Sequence, residues 1–373
     1  MAEARRVCPT CGAAYGGEAL FCPADGAPLG ARKPDGQDAY VGVELPGSIR
    51  LERLVGIGSM GRVYRASQRG LDRAVAVKIL HKEHCRNETL VARFHREARV
   101  AASLLHPHVI DVHAVGELPG GEPYIVTEFL DGLSLRSALV ANGGKIAEAR
   151  AIHVALQVSD ALGEAHVRGV VHRDMKPENV MLVRCGADPE FAKVLDFGVA
   201  RVGDADSSVA THAGAILGTA TYACPESARG DRVGPPGDVY SLAVVLFECL
   251  AGEPPFRGAG PVDVLIQHAQ TPAPDVRSVP AGSRVPASLA HLLAQNLSKN
   301  PSDRAPDARV FGRALAVAAT EAGLDGPRLA GGTTLLGALG EAETPERQDA
   351  SPVTASMPRS TLRNLGATGG RPT

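Results

Sequence analysis

The sequence predicts an α+β protein in which a small β-rich lobe precedes a larger helical lobe, with a compact cysteine-bearing unit ahead of both. Three observations carry that expectation. Residues 51–55 and 62–66 flank a glycine-rich turn, and residues 74–80 alternate apolar and polar like a third strand. Residues 89–105 and 147–167 repeat apolar side chains at the spacing of one helical face. Residues 238–250 are apolar nearly all round, as a helix buried on every side must be.

Composition bounds the function. Of the 373 residues, 44% are apolar, enough for a sizeable core, and the formal net charge of -2 provides no global field toward nucleic acid or an anionic membrane. The longest apolar run, 239–250, contains Glu248 and falls short of the ~20 residues a membrane span needs. The first residues lack the apolar stretch of a signal peptide, so the expected location is cytoplasmic. Of seven cysteines, Cys8, Cys11 and Cys22 crowd the N-terminus and the rest are scattered.

The expected organisation follows from these shifts in composition. Residues 1–29 form the Cys/Pro/Gly-rich unit and residues 30–47 have linker composition. Residues 48–322 form the main domain. Residues 323–373 are too poor in apolar side chains to offset ordering entropy and read as a disordered tail.

Taken in order, the first element of the main domain is the strand and turn holding Gly56, Ile57, Gly58, Ser59, Met60, Gly61 and Val63, a G-x-G-x-x-G-x-V pattern. Glycine is needed where backbone N–H groups must approach phosphate oxygens. By itself the pattern also fits a plain hairpin or a dinucleotide loop; residues 62–66 read as strand rather than helix, which argues against the latter. Next, Val75-Ala76-Val77-Lys78 sets a lysine in an apolar strand, a costly position unless an anion awaits it. In the following helix Leu90, Phe94, Ala98, Ala101 and Leu105 face inward and Glu97 lies beside that face, able to supply the counter-charge. The helix over 147–167 turns Ile152, Leu156 and Leu162 inward and stops at Gly169. Short strands are expected at 170–171, 180–183 and 193–195, and the all-apolar helix ends at Gly252.

The decisive segment is His172-Arg173-Asp174-Met175-Lys176-Pro177-Glu178-Asn179, followed by Asp196-Phe197-Gly198 and then Pro225-Glu226. In this order and spacing the motifs resemble the catalytic machinery of eukaryotic-type (Hanks-type) protein kinases, over roughly residues 49–322. The resemblance implies the two-lobed kinase fold with ATP in the cleft. Asp174 would then orient or accept the substrate hydroxyl proton, Lys176 neutralise the transferring γ-phosphoryl, Lys78, paired with Glu97, aim its ammonium at the α and β phosphates, and Asn179 and Asp196 hold Mg²⁺. Lys176, two residues beyond Asp174, and Thr219, matching the family threonine that bonds both, imply serine and threonine substrates on proteins. The form of the glycine loop resembles bacterial members.

Residues 124–130 resemble the strand entering the hinge, so the backbones of Glu128 and Leu130 would meet adenine, with Thr127 at the gatekeeper position. Val63, Ala76 and Met181 would sandwich the base, although ordinary core packing explains these three equally well. Asp238 resembles the aspartate that anchors the catalytic loop, and Arg304 the arginine paired with Glu226. Arg173 implies a phosphorylated activation segment within 199–224, with Thr211 the expected site. Cys224, Ala243 and Ala101 depart from the family pattern, and Ala101 puts the seating of its helix in doubt.

The N-terminal unit reads Cys8-Pro9-Thr10-Cys11, ten residues, then Cys22-Pro23-Ala24-Asp25. It resembles a zinc-ribbon knuckle whose fourth ligand has become Asp25, an acceptable oxygen donor for Zn²⁺. A metal-free loop and a redox pair remain open alternatives. The expected role is partner docking through residues 1–29. Two rival functions stand beside the kinase reading: a nucleotide-binding scaffold without turnover, and a small-molecule phosphotransferase of the same fold. Lys78, Glu97, Asp174, Asn179 and Asp196 argue against the first, and Pro225-Glu226 against the second.

Overall fold

The computed structural model describes residues 6–7, 14–15, 38–197 and 220–324. The expected zinc ligands Cys8, Cys11, Cys22 and Asp25, most of the segment 199–224 with Thr211 and Thr219, and the tail from residue 325 lie outside the described residues. At the N-terminus β1 (Arg6–Val7) pairs antiparallel with β2 (Ala14–Tyr15).

The first lobe is a six-stranded antiparallel sheet. Its strands are β3 (Glu44–Leu45), β4 (Ile49–Ile57), β5 (Gly61–Gln68), β6 (Arg73–Leu80), β7 (Val112–Glu117) and β8 (Pro123–Glu128), in the order β3-β4-β5-β6-β8-β7. Period-two alternation sends Ile49, Leu51, Tyr64, Ala66, Val75, Val77 and Ile79 to one face, where Tyr124 and Val126 join them in a common core. The opposite face of β6 and β8 is covered by α1 (Glu88–Ser103), which buries Phe94 and Ala98 against Leu80 and Ile125. Asn87 caps α1 by accepting from the Leu90 N–H at 3.1 Å. Because that helix ends at Ser103, it is Leu104 that turns inward, while Leu105, expected on the buried face, is 81% exposed.

Part of the expected linker is bound to this sheet. Tyr40, Val41 and Val43 pack on the outer core, Tyr40 donates to Glu122 at 3.3 Å, and Asp38 accepts from Arg62 at 2.9 Å and from the Tyr64 hydroxyl at 2.8 Å. The polar look of 30–47 hid these apolar side chains, and the folded domain begins by residue 38 rather than 48.

The second lobe is helical: α2 (Leu135–Ala141), α3 (Glu148–Val167), α4 (Pro225–Arg229), α5 (Pro235–Ala251), α6 (Pro261–Gln270), α7 (Ala287–Asn296) and α8 (Ala308–Glu321). α5 is buried along almost its whole length and forms the axis of the main core with α3, α7 and α8. Gly252 ends it in the left-handed conformation, φ 79°, as Gly169 ends α3 at φ 72°. The strand expected at 170–171 is absent, because the Val170 N–H bonds Ala165 to close that helix. A small sheet, β9 (Gly132–Ser134), β10 (Val180–Cys185) and β11 (Asp188–Val194), frames the cleft side of this lobe. Among the described residues no helix is long and apolar enough to cross a membrane.

Candidate active site

Alternation along β6 decides which side chains reach the cleft. With Val75, Val77 and Ile79 in the outer core, Ala76 and Lys78 must face the other way. Register puts Val63 opposite Lys78 and Thr127 opposite Ala76, so the expected base-contacting residues of this lobe share one face with the lysine. Helix α1 passes over that face and brings Glu97 Oε1 to 2.8 Å from Lys78 Nζ. Ala101 in place of a larger side chain has therefore not unseated the helix.

Asp196 meets the same ammonium, Oδ1 to Nζ at 2.9 Å. Burial alone would depress Lys78, but Asp196 and Glu97 raise its pKa above the ordinary lysine value. Burial and the neighbouring Asp196 charge push Glu97 up, against the pull of Lys78. Partial desolvation at the cleft works against the Asp196 carboxylate, yet Lys78 holds it well below the usual range. The result is one ammonium between two carboxylates, with Asp196 fully ionised.

The catalytic loop is fixed from beneath. Asp238, buried at the first turn of α5, accepts the backbone N–H groups of His172 at 2.7 Å and Arg173 at 2.8 Å and the His166 ring at 2.9 Å. His172 uses both ring nitrogens: Nε2 donates to the Leu195 carbonyl at 2.9 Å, and Nδ1 accepts the Asp174 N–H at 3.2 Å. Its ring packs on Phe197 with centroids 4.9 Å apart, tying the loop to the Asp196-Phe197 segment. Arg173 and Asp196 both have positive φ, 65° and 45°, a strain that side chains other than glycine rarely tolerate and that clusters at functional sites.

On this base Lys176 Nζ donates to Asp174 Oδ2 at 2.7 Å, and Asn179 Nδ2 donates to the Asp174 carbonyl at 2.7 Å. Burial opposes the Lys176 charge, but Asp174 raises its pKa above the ordinary value, so it remains an ammonium. Spending its amide nitrogen on Asp174 leaves Asn179 the Oδ1 oxygen for a cation. Asp196 commits one oxygen to Lys78 and keeps its side chain 49% exposed. An amide oxygen and an ionised carboxylate at the cleft are the hard oxygen donors that Mg²⁺ takes, so the residues fit that ion.

The glycine-rich turn is set by the two strands that it joins. Gly56 and Ile57 close β4, Gly58, Ser59 and Met60 form the turn, and Gly61 opens β5. A Cβ on Gly61 would stand 2.2 Å from the Ile79 carbonyl oxygen, so the chain itself demands glycine there; at Gly56 the same space is open. At the hinge Glu128 turns its side chain to Lys193, 2.7 Å, and its N–H to Asp111. The Leu130 N–H and C=O take no hydrogen bond among the described residues, which leaves both for a ligand edge. Met181 lies half-buried on β10.

One cluster escaped the sequence reading. Arg136 on α2 lies between Glu178 of the catalytic loop, 2.8 Å, and Glu248 of α5, 2.8 Å, and also bonds the Tyr222 hydroxyl, which donates to Glu248 at 2.6 Å. The usable signal was Glu248, which with Asp238 is one of two charges in an otherwise apolar helix. Arg304 binds Glu226 as expected, and the Arg173 Nε is buried with no hydrogen-bond partner among the described residues.

A family model described as protein kinase domain matches residues 49–312. Similar curated proteins include the serine/threonine-protein kinases pkn3 and Pkn1 of Myxococcus xanthus. The first is 38% identical over 283 residues, 75% of this chain and 51% of that protein. The second is 40% identical over 325 residues, 84% and 46%. PknB of Mycobacterium tuberculosis is 41% identical over 261 residues, 68% and 40%. The chain thus spans about half or less of the length of these relatives. Among solved structures, the M. tuberculosis PknI kinase domain matches with a TM-score of 0.59 at 26% identity, covering 76% of this chain and 100% of that one.

Proposed function

The chain belongs to the protein kinase family, and on that premise we propose that it transfers the γ-phosphoryl group of ATP to serine and threonine hydroxyls of proteins, itself included. The observation that carries the reading is the Asp174–Lys176 pair at 2.7 Å, braced by Asn179 and facing the Lys78–Glu97 and Lys78–Asp196 pairs.

In that reading the Asp174 carboxylate orients the substrate hydroxyl and receives its proton as oxygen bonds to the γ-phosphorus. The bond from that phosphorus to the bridging oxygen breaks and ADP leaves. Lys176 lies beside the base and neutralises the charge spread over the transferring group, while Lys78 holds the phosphates behind it. Asn179 and Asp196 would hold Mg²⁺, which when bound supplies charge neutralisation at the phosphate oxygens. Positioning and electrostatics supply most of the rate, because this chemistry asks little covalent help. The reaction belongs in the cytoplasm, where ATP is available.

We extend the proposal to residues 1–29 as a zinc-ribbon-like module, with Cys8, Cys11, Cys22 and Asp25 as ligands and partner docking as its role. The antiparallel β1–β2 pairing, Arg6 opposite Tyr15 and Val7 opposite Ala14, supports this.

The test is transfer from labelled Mg·ATP to the chain itself and to a generic protein substrate, followed by identification of the modified residue. Phosphoserine and phosphothreonine are expected. Nucleotide binding without transfer would make the protein a scaffold, and transfer only to small molecules would move it to the other phosphotransferase class.

A further inference from the structure

The connector between Lys78 and Glu97 reaches back to the glycine-rich turn in a way no motif announces. His81 Nε2 contacts the Gly58 carbonyl at 2.8 Å, His84 Nε2 the Ser59 carbonyl at 3.2 Å, and the His81 backbone N–H the Met60 carbonyl at 2.9 Å. Carbonyl oxygens only accept, so both imidazoles present Nε2–H. The rings stand edge to face with centroids 5.8 Å apart. The connector is itself braced, by the His84 N–H to His81 carbonyl bond at 2.8 Å and by Cys85 Sγ to the same oxygen at 3.4 Å. Met60 adds an apolar anchor against the Leu80, Phe94 and Ile125 cluster.

Three consecutive carbonyls of the turn are thus drawn to one side. In a trans peptide the C=O and the next N–H point in opposite directions. Pinning the carbonyls of Gly58, Ser59 and Met60 therefore turns the N–H groups of Ser59, Met60 and Gly61 together away from the connector. A run of co-directed backbone N–H groups is an anion-binding array. A turn of this composition would otherwise sample many orientations and lose entropy on meeting a ligand.

We propose that His81 and His84 are positioning residues that hold the glycine-rich turn in its phosphate-receiving form before nucleotide arrives, so that they favour a polyphosphate chain and are indifferent to the nucleoside. The inference rests on the reading of the cleft as an ATP site. Neither ring touches the reacting atoms; each acts through a carbonyl of the turn.

The experiment compares the unaltered 373-residue chain with His81→Ala/His84→Ala, His84→Ala alone and His81→Gln/His84→Gln, measuring equilibrium binding of ATP and of adenosine alongside transfer kinetics. The double alanine variant should weaken ATP binding about 5- to 20-fold, the order expected for losing two modest hydrogen bonds, and leave adenosine binding within about twofold. Its KM for ATP should rise by more than kcat falls. The glutamine pair, which keeps an N–H donor near each carbonyl, should recover most of the ATP affinity, and His84→Ala should show part of the loss. Unchanged ATP binding in the alanine variants, equal weakening of ATP and adenosine, or failure of glutamine to rescue would each overturn the proposal. If the wild-type protein binds neither ligand, it is the ATP-site reading that falls.

Discussion

Arg304 meets Glu226 through two parallel hydrogen bonds, Nη1 to Oε1 at 3.0 Å and Nη2 to Oε2 at 2.8 Å, with the guanidinium wholly shut off from solvent. Its remaining donors reach the carbonyls of Ser298, Pro236 and Lys299, so every N–H is used. A lysine cannot reproduce that fork. Arg304→Ala should therefore cost about 3–5 kcal/mol of stability, because Glu226 is left buried and unpaired. Arg304→Lys should recover only a minor part. Urea denaturation of the two variants checks this, and a loss below about 1 kcal/mol in the alanine variant would contradict it.

Asp174→Asn and Lys78→Met should each abolish detectable phosphoryl transfer while leaving the thermal transition cooperative. The first removes the proton acceptor, a group typically worth ~10² to 10⁴ in rate. The second removes the cation shared by Glu97 and Asp196. Nucleotide binding separates them, since Asp174→Asn should retain it and Lys78→Met should lose much of it. Transfer near the wild-type rate by either variant would refute the assigned roles.

Apart from what the family resemblance supplied, such as the Arg304–Glu226 pair, what was legible in the sequence was what lies close along the chain. Asp174, Lys176 and Asn179 share one turn, and the period-two pattern of β6 alone sends Lys78 away from the outer core. The Lys78–Glu97 pair needed only the strand and helix that follow each other. By contrast, Arg136 and Glu248 are separated by 112 positions, and nothing in the local pattern of α2 marks Arg136 as buried. His81 and His84 were equally silent, because their partners are backbone carbonyls, which every sequence has. Local capping also overrode propensity: Val170 and Val171 are good strand formers, but closing α3 claims the Val170 N–H.

Stability should fall on mild acidification, and His268 should account for a separable part of it. The ring is fully buried on α6, where Nε2 donates to the Thr221 carbonyl at 2.9 Å and Nδ1 accepts from the Tyr240 hydroxyl at 2.9 Å. Burial pushes its pKa down to about 4, the Thr221 carbonyl works against that, and the Lys299 ammonium adds to it. The folded state thus holds the ring neutral where the unfolded chain, with a pKa near ~6.5, already binds a proton. Its contribution is whole above pH ~6.5 and is lost as pH falls to about 4, in all about 3 kcal/mol. His268→Gln should flatten the urea stability profile across that window relative to wild type. Parallel profiles would remove His268 as the cause.

Autophosphorylation is expected on the activation segment at Thr211. The structural reason is Arg173, whose Nε is buried with no partner among the described residues while its backbone is held at φ 65° by Asp238. A phosphate carries nearly two charges and three acceptor oxygens, which suits a guanidinium already in place. Mass spectrometry of active protein should find the modification, and Thr211→Ala should lower activity toward a protein substrate. An unmodified segment in fully active protein would dismiss the switch.

Catalysis should survive removal of the N-terminal module, provided the cut respects the packing of residues 38–45. Asp38 accepts from Arg62 and Tyr64, and Tyr40 stacks edge-on against Tyr64 with centroids 5.9 Å apart, so this stretch belongs to the catalytic lobe. A chain beginning at Asp38 should phosphorylate a generic substrate at close to the rate of the untruncated chain. One beginning at Gly42 loses those contacts, and the Tyr64 hydroxyl its acceptor, and should be about 1–3 kcal/mol less stable. On the reading proposed for residues 1–29, a unit of that size lacks the core to fold unaided, and metal would be the staple that three cysteines and an aspartate can supply. Metal analysis of the purified chain should find about one zinc per molecule, lost in Cys8→Ser and Cys11→Ser. Asp25→Cys should tighten binding, because thiolate is the better zinc donor. Zinc content indifferent to the cysteine substitutions would remove the site. An inactive but folded chain starting at Asp38 would show that the kinase needs its module after all.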